Sequence, residues 1–186
     1  MTPELIISIL LGIGLSASAG FRVFIPLLVT AVAAKMGWIN LGHGFQWIGS
    51  YASMACFAAA TVAEISAYYF PLVDNLLDTI TTPMAIGAGT LLATSVLPVD
   101  HDLLKWVLGF LIGGGSAGII QTGTALLRLA STKTTAGFGN PIVSTAEHIA
   151  SIGTSLGAIF IPVICGILML IFLVYLVGKI FLFRKS

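Results

Sequence analysis

From Gly157 to Gly178 the chain carries no charged side chain, and this stretch lies inside a longer apolar segment at 157–183. About 20 consecutive apolar residues are enough for a helix to cross the hydrocarbon core of a bilayer. Further apolar segments occupy residues 4–34, 45–70, 72–98, 103–130 and 141–156, with little polar sequence between them. Only 8% of the 186 residues are charged and 58% are hydrophobic, so polar side chains are too few to cover a water-facing surface. Backbone polar groups in hydrocarbon must be satisfied inside a helix or a closed barrel, and these runs are continuous where a barrel strand would alternate. The expected fold is therefore all-α, a polytopic transmembrane helical bundle forming one membrane domain over residues 1–186.

Several segments carry built-in interruptions. The segment 4–34 contains Gly12, Gly14 and Gly20 before Pro26, which predicts a helix kinked or broken into two pieces. Pro71, with no polar loop around it, predicts a tight break. The segment 141–156 is short and dotted with Ser, Thr and Gly, which suits either a re-entrant half-helix or a span packed inside protein. The clearer loops run from Lys35 to Gly44, Pro98 to Asp102 and Ser131 to Asn140. Trp38, Trp47 and Trp106 sit near predicted helix ends, where interfacial anchors belong. Ala17-Ser18-Ala19 resembles a signal-peptidase site, but no Lys or Arg precedes the apolar run and apolar character resumes after Arg22, so the segment reads as mature membrane structure. Lys179, Arg184 and Lys185 favour a cytoplasmic C-terminus, and Arg128 with Lys133 favours a cytoplasmic loop; six crossings with both ends inside satisfy both.

A net charge of +1 leaves no basic face for nucleic acid. Cys56 and Cys165 lie in apolar runs without metal-ligand spacing and read as buried packing residues. There is no nucleophile elbow, zinc helix, phosphate loop or dinucleotide fingerprint, so neither an enzyme nor a cofactor is expected, and the identity of any metal is left open.

Ionisable residues inside apolar segments are the informative ones. Each costs about 2.5–3.5 kcal/mol at mid-membrane, so such residues face a partner, a cavity or a conduction path. Glu64, Asp74, Asp78, Glu147, His148, Arg22 and Arg128 qualify. Asp74 and Asp78 share a helix face, where they would hold a cation or share a proton, or simply favour a helix N-terminus after Pro71. Asn140-Pro141 reads as an N-cap followed by proline, with Glu147 and His148 further in. Glu147 would relay a proton or pair with Arg22 or Arg128. Arg22 follows the small-residue run Ser16 to Gly20, which admits a close neighbour helix; it would neutralise an acid, attract an anion or snorkel to head groups. His43 and His101 sit in loops and need no function.

Ser18-Ala19-Gly20-Phe21 resembles Ser116-Ala117-Gly118-Ile119, and Pro71-Leu72-Val73-Asp74 resembles Pro141-Ile142-Val143-Ser144. The two matches occur in the same order, with candidate repeat halves 1–98 and 103–186. Halves of three segments each would be inverted, as in many secondary transporters; chance is the competing explanation.

Gly20-Phe21-Arg22 with Pro26-Leu27-Leu28, Ala63-Glu64, Pro71-Leu72-Val73-Asp74 with Asp78, and Gly139-Asn140-Pro141 with Ser144 and Glu147 together resemble the bacterial integral-membrane family called domain of unknown function 4126. The likeness covers most of the chain. That family often has an acidic-basic pair just before the proline, where this sequence has Tyr68-Tyr69. The resemblance implies a membrane architecture and no particular activity. The leading expectation is a small transporter or channel-like permease, homo-oligomeric, in the cell inner or plasma membrane. It would move a cation or proton-coupled solute along a path lined by Glu64, Asp74, Asp78, Glu147, His148 and Asn140 and tuned by Arg22. The alternative is a lipid-handling or scaffold protein with internally paired charges.

Overall fold

The computed structural model describes residues 3–67, 71–135 and 139–183, with side chains described throughout except at 71–79 and 181–183. Among the described residues the secondary structure is entirely helical: α1 (Pro3–Phe21), α2 (Phe24–Lys35), α3 (Tyr51–Ala67), α4 (Pro71–Val96), α5 (Asp102–Leu108), α6 (Gly115–Thr135), α7 (Asn140–Phe160) and α8 (Pro162–Phe183). A π-helical turn at Gly109–Gly114 joins α5 to α6, so that Asp102–Thr135 is one rod. Among the described residues three helices are long and apolar enough to cross a membrane: Pro3–Phe21, Asp102–Thr135 and Pro162–Ile180.

Helix α1 is the axis of the bundle. Its residues from Gly12 to Gly20 are all buried, which their small size permits, because each missing side chain lets a neighbour approach. Gly12 lies against Ala93 of α4, Gly14 against Ala158 of α7, and Gly20 against the backbone of Ala117 in α6. Ser16 donates to the Gly89 carbonyl (2.7 Å), so α4 runs antiparallel to α1. Helix α4 is likewise antiparallel to the α5–α6 rod, with Thr94 beside Gly109, Gly89 beside Gly113, and Gln121 donating to Thr81 (3.1 Å). The glycines of the π turn are what allow this contact: a Cβ on Gly113 would collide with the Gly89 carbonyl. Thr90 and Thr94 return their hydroxyls to the carbonyls one turn back, leaving no polar demand at the interface.

The segment 4–34 breaks at Arg22 and Val23, and the break is a reversal. Gly12 stands level with the end of α4 and Gly14 with the end of α7. At the far end of α2, the Trp38 ring meets Phe160 at 5.2 Å, again at the end of α7. Between them, Arg22 reaches Ser144 near the beginning of α7. The chain thus ascends along α1 and returns along α2. Helix α3 ascends again, starting where Lys35 lies over the Tyr51 ring (4.2 Å). At the other end of the sequence, Cys165 lies 3.5 Å from the Thr154 carbonyl and against Gly157, so α8 folds back on α7 as a tight hairpin around Ile161.

Two ends result. Trp38, Trp47 and Trp106 gather at one, where the loop between α2 and α3 lays the buried Phe45 against Trp106 (5.8 Å) and turns through Gly37 and Gly44 at positive φ. Lys133 and Lys179 mark the other, beside the end of α6 and the end of α8.

Residues 141–156 belong to a 21-residue helix, about 31 Å long, which is the packed-span alternative, and the hairpin is made by α1 and α2. Other expectations change. The structure starts α7 at Asn140 with Gly139 as N-cap and no side-chain cap, so Asn140 does not cap; it pairs with Thr132 (3.1 Å) and ties α7 to α6. Cys56 is exposed on α3, against the expectation of a buried packing residue, while Cys165 is buried. Since α4 is antiparallel to both α1 and α6, the two similar Ser-Ala-Gly stretches run in the same sense. The two Pro-X-Val openings, on α4 and α7, also run in the same sense. An inverted repeat would set each pair in opposite senses. Asp74 and Asp78 fall in α4 but lie outside the residues whose side chains are described.

Candidate functional site

The apex of the α1–α2 hairpin ends inside the bundle, and its exposed backbone has to be satisfied there. A helix ending at Phe21 and another starting at Phe24 leave N–H groups without intrahelical partners. Pro26, in the first turn of α2, contributes none and fits the fixed φ of a helix start. Glu64 of α3 supplies the acceptor: its carboxylate takes the N–H of Val23 (2.9 Å) and of Phe24 (3.1 Å). A carboxylate at a helix N-terminus also meets the positive end of the helix dipole. Glu64 is 6% exposed, so this charge is spent on holding the reversal in place.

Arg22, at the apex itself, is 1% exposed and points across to α7. Its Nη2 donates to Oε2 of Glu147 (2.6 Å) and to the Ser144 carbonyl (3.3 Å). Arg128 of α6 approaches the same carboxylate from the other side in a bidentate grip, Nε to Oε1 (3.0 Å) and Nη2 to Oε2. Glu147 is 4% exposed. Two helices, α6 and α7, and the hairpin apex are thereby joined through one side chain. Charge-assisted, bidentate contacts of this kind are the strong ones, and burial removes the screening that weakens surface pairs.

The cluster opens onto a polar stripe along α7. Ser144, Glu147, His148, Ser151 and Ser155 are all buried, at spacings of three or four that place them on one helix face. Ser151 donates to the Ser18 carbonyl (3.1 Å) and Ser155 to the Ser18 hydroxyl (3.0 Å), which fixes the stripe against α1. The hydroxyl of Ser144 and Nε2 of His148 are buried without a hydrogen-bond partner among the described residues. Thr30 on α2 and Thr61 on α3 are in the same position. Helix α7 is thus turned with its polar face inward, opposite to a water-soluble helix and as a membrane helix is when its polar groups are used.

Of the residues singled out from the sequence, Arg22, Glu147 and His148 meet at this site, Glu64 supports it from α3, and Asn140 stands apart at the α6–α7 junction. Arg22 neither snorkels nor reaches head groups. Asp74 and Asp78 lie on α4 but outside the residues whose side chains are described. Arg128 was expected only as a pairing partner, yet it holds Glu147 as firmly as Arg22 does. Ser144, Ser151 and Ser155 were missing from the residues singled out, although their spacings of seven and four, which keep to one helix face, are visible in the sequence. Among the described residues no group of His, Cys, Asp and Glu side chains is arranged to hold a metal ion.

No curated protein and no solved structure matches the chain. Three of the four segments quoted for the family resemblance build the site, namely the hairpin apex, the Glu64 helix and the start of α7. The family match runs over residues 9–181, nearly the whole chain, and the chain belongs to the family described as a domain of unknown function, DUF4126.

Proposed function

We propose that this protein is a small multi-pass membrane permease for a cation or a proton-coupled small solute, with the α7 polar stripe as its path and Glu147 as the group whose charge state opens it. The buried stripe carries this reading. Close packing of α1 on α7 needs only glycine and alanine, as at Gly14 and Ala158, yet five polar side chains occupy the face. Polar groups in the membrane are expensive and are found where a solute or proton needs them. Loss of the negative charge on Glu147 would weaken both arginine contacts together and free the hairpin apex from α6 and α7. Asp74, Asp78 and Glu64 belong to the same proposed path, Arg22 and Arg128 set its charge, and Asn140 sits at its lysine end.

In the membrane, the α1–α2 hairpin is re-entrant and α3, α4, α5–α6, α7 and α8 make five crossings. Lys133, Lys179, Arg184 and Lys185 then put the lysine end in the cytoplasm, with the C-terminus there and the start of α1 on the opposite side. In a Cys56→Ser background, a membrane-impermeant maleimide is expected to label both Glu4→Cys and His43→Cys from outside intact cells. Labelling of Glu4→Cys only after permeabilisation would restore the single crossing of 4–34.

Transport itself is tested in proteoliposomes under Na⁺, K⁺ or H⁺ gradients. Flux of at least one ion is expected, slowed roughly tenfold or more by Glu147→Gln and by Glu64→Gln, as the loss of about 1.4 kcal/mol of barrier stabilisation would give. Absence of gradient-driven flux, or variants that match the wild type, overturns the proposal. It would leave the second reading, a non-transporting scaffold, which is favoured by the double pairing of Glu147 and the capping use of Glu64.

A further inference from the structure

Outside the ionic cluster, a trough runs between α6 and α8. At the lysine end it is a cavity of about 510 Å³ lined by leucines and small residues, with Lys133 and Lys179 as its charged members. It continues into a second cavity of about 350 Å³ that shares Gly123, Leu127 and Leu176 with the first and ends at Phe21, Phe172 and Glu147. Gly123 creates the space, since the helices meet there with no side chain on α6 and only Leu176 across from it. Along α8 the trough runs from Ile180 to Phe172, about 12 Å.

We infer that this trough is a binding site for one anionic phospholipid, its phosphate held by Lys133 and Lys179 and an acyl chain lying along Gly123, Leu127 and Leu176. Two features select the occupant. The wall is apolar over its length, so it suits a hydrocarbon chain and would not pass a head group, which sets this site apart from a scrambling groove. The cations are confined to the rim, and both are exposed. Two lysines at the mouth of an apolar groove between membrane helices match a lipid phosphate at head-group depth with its chain below. The inner end of the trough reaches Glu147, so a seated chain would touch the element that carries the ionic cluster.

The test uses the full-length protein in detergent, with native mass spectrometry counting retained lipid. Dioleoyl phosphatidylglycerol and dioleoyl phosphatidylcholine have the same chains and differ in charge. Phosphatidylglycerol is expected to be retained at least about tenfold over phosphatidylcholine, the scale that two lysines near a lipid phosphate supply. Lys133→Gln/Lys179→Gln should abolish the preference without lowering phosphatidylcholine retention, and both side chains are exposed, so folding is not at stake. Ala130→Phe, at an exposed position on the trough wall, should lower retention of both lipids. Equal retention of the two lipids, a preference that survives the double lysine variant, or unchanged binding in Ala130→Phe would each overturn the site. Competition by glycerophosphate as strong as by the lipid would also overturn it, reducing the site to a surface phosphate contact.

Discussion

Glu147→Ala is expected to destabilise the folded protein by about 3–5 kcal/mol, the cost of removing one partner from a buried ion pair. The reason lies in the sharing. One carboxylate receives Arg22 from the hairpin apex and Arg128 from α6, each almost fully buried, so truncation removes the common acceptor of two guanidinium groups that were desolvated to reach it. Arg22→Met and Arg128→Met should each cost less, because Glu147 then keeps one arginine. Glu147→Gln should fall between, retaining an acceptor oxygen without its charge. Combining Glu147→Ala with Arg128→Met should recover part of the loss, since replacing a buried pair by apolar side chains is often near neutral. Thermal unfolding of the purified variants in one detergent checks the series. A Glu147→Ala protein within about 0.5 kcal/mol of wild type would mean that the cluster is not what joins α1, α6 and α7.

The helices were legible in the sequence because their signals are local. Helix α8 is apolar all round, and the structure buries only a narrow stripe of it, including Cys165, Met169 and Leu173, against α1 and its neighbours. The glycine run of α1 announced close packing and Pro26 announced an interruption. A kink and a reversal share the same local sequence, however, and the reversal depends on Glu64, some forty residues away, accepting the apex amides. The partners of Glu147 were equally non-local: Arg22 is 125 residues distant and Arg128 only 19, and both were needed. For α7 the sequence left a re-entrant half-helix and a span packed inside protein both open, because its serines lower its apolar character; burial of the polar face against α1 is what lets a full-length helix carry them. The possible inverted repeat stood beside chance as an open alternative, because a four-residue match carries no information about direction, which packing against α4 supplies.

Glu64→Ala tests the reversal itself. Truncation leaves the N–H groups of Val23 and Phe24 buried without an acceptor, at about 1–3 kcal/mol each, so a loss of roughly 2–6 kcal/mol is expected. The effect should be local before it is global, because α2 is short and the apex is the one place where it meets the carboxylate. Hydrogen exchange at Val23 and Phe24 should accelerate at least about tenfold in Glu64→Ala, while the amides of α8 change only as far as overall stability changes. Glu64→Gln should protect one amide better than the other, since its side chain has one carbonyl oxygen where the carboxylate has two. Thr61→Val, one turn earlier on the same helix, provides the control. Its hydroxyl is buried without a partner among the described residues, so its removal should leave apex exchange unchanged and stability the same or slightly higher. If Thr61→Val and Glu64→Ala accelerate the apex amides equally, loosening of α3 explains both. If Glu64→Ala alone does so, the carboxylate is what turns the chain back inside the bundle and holds Arg22 in reach of Glu147.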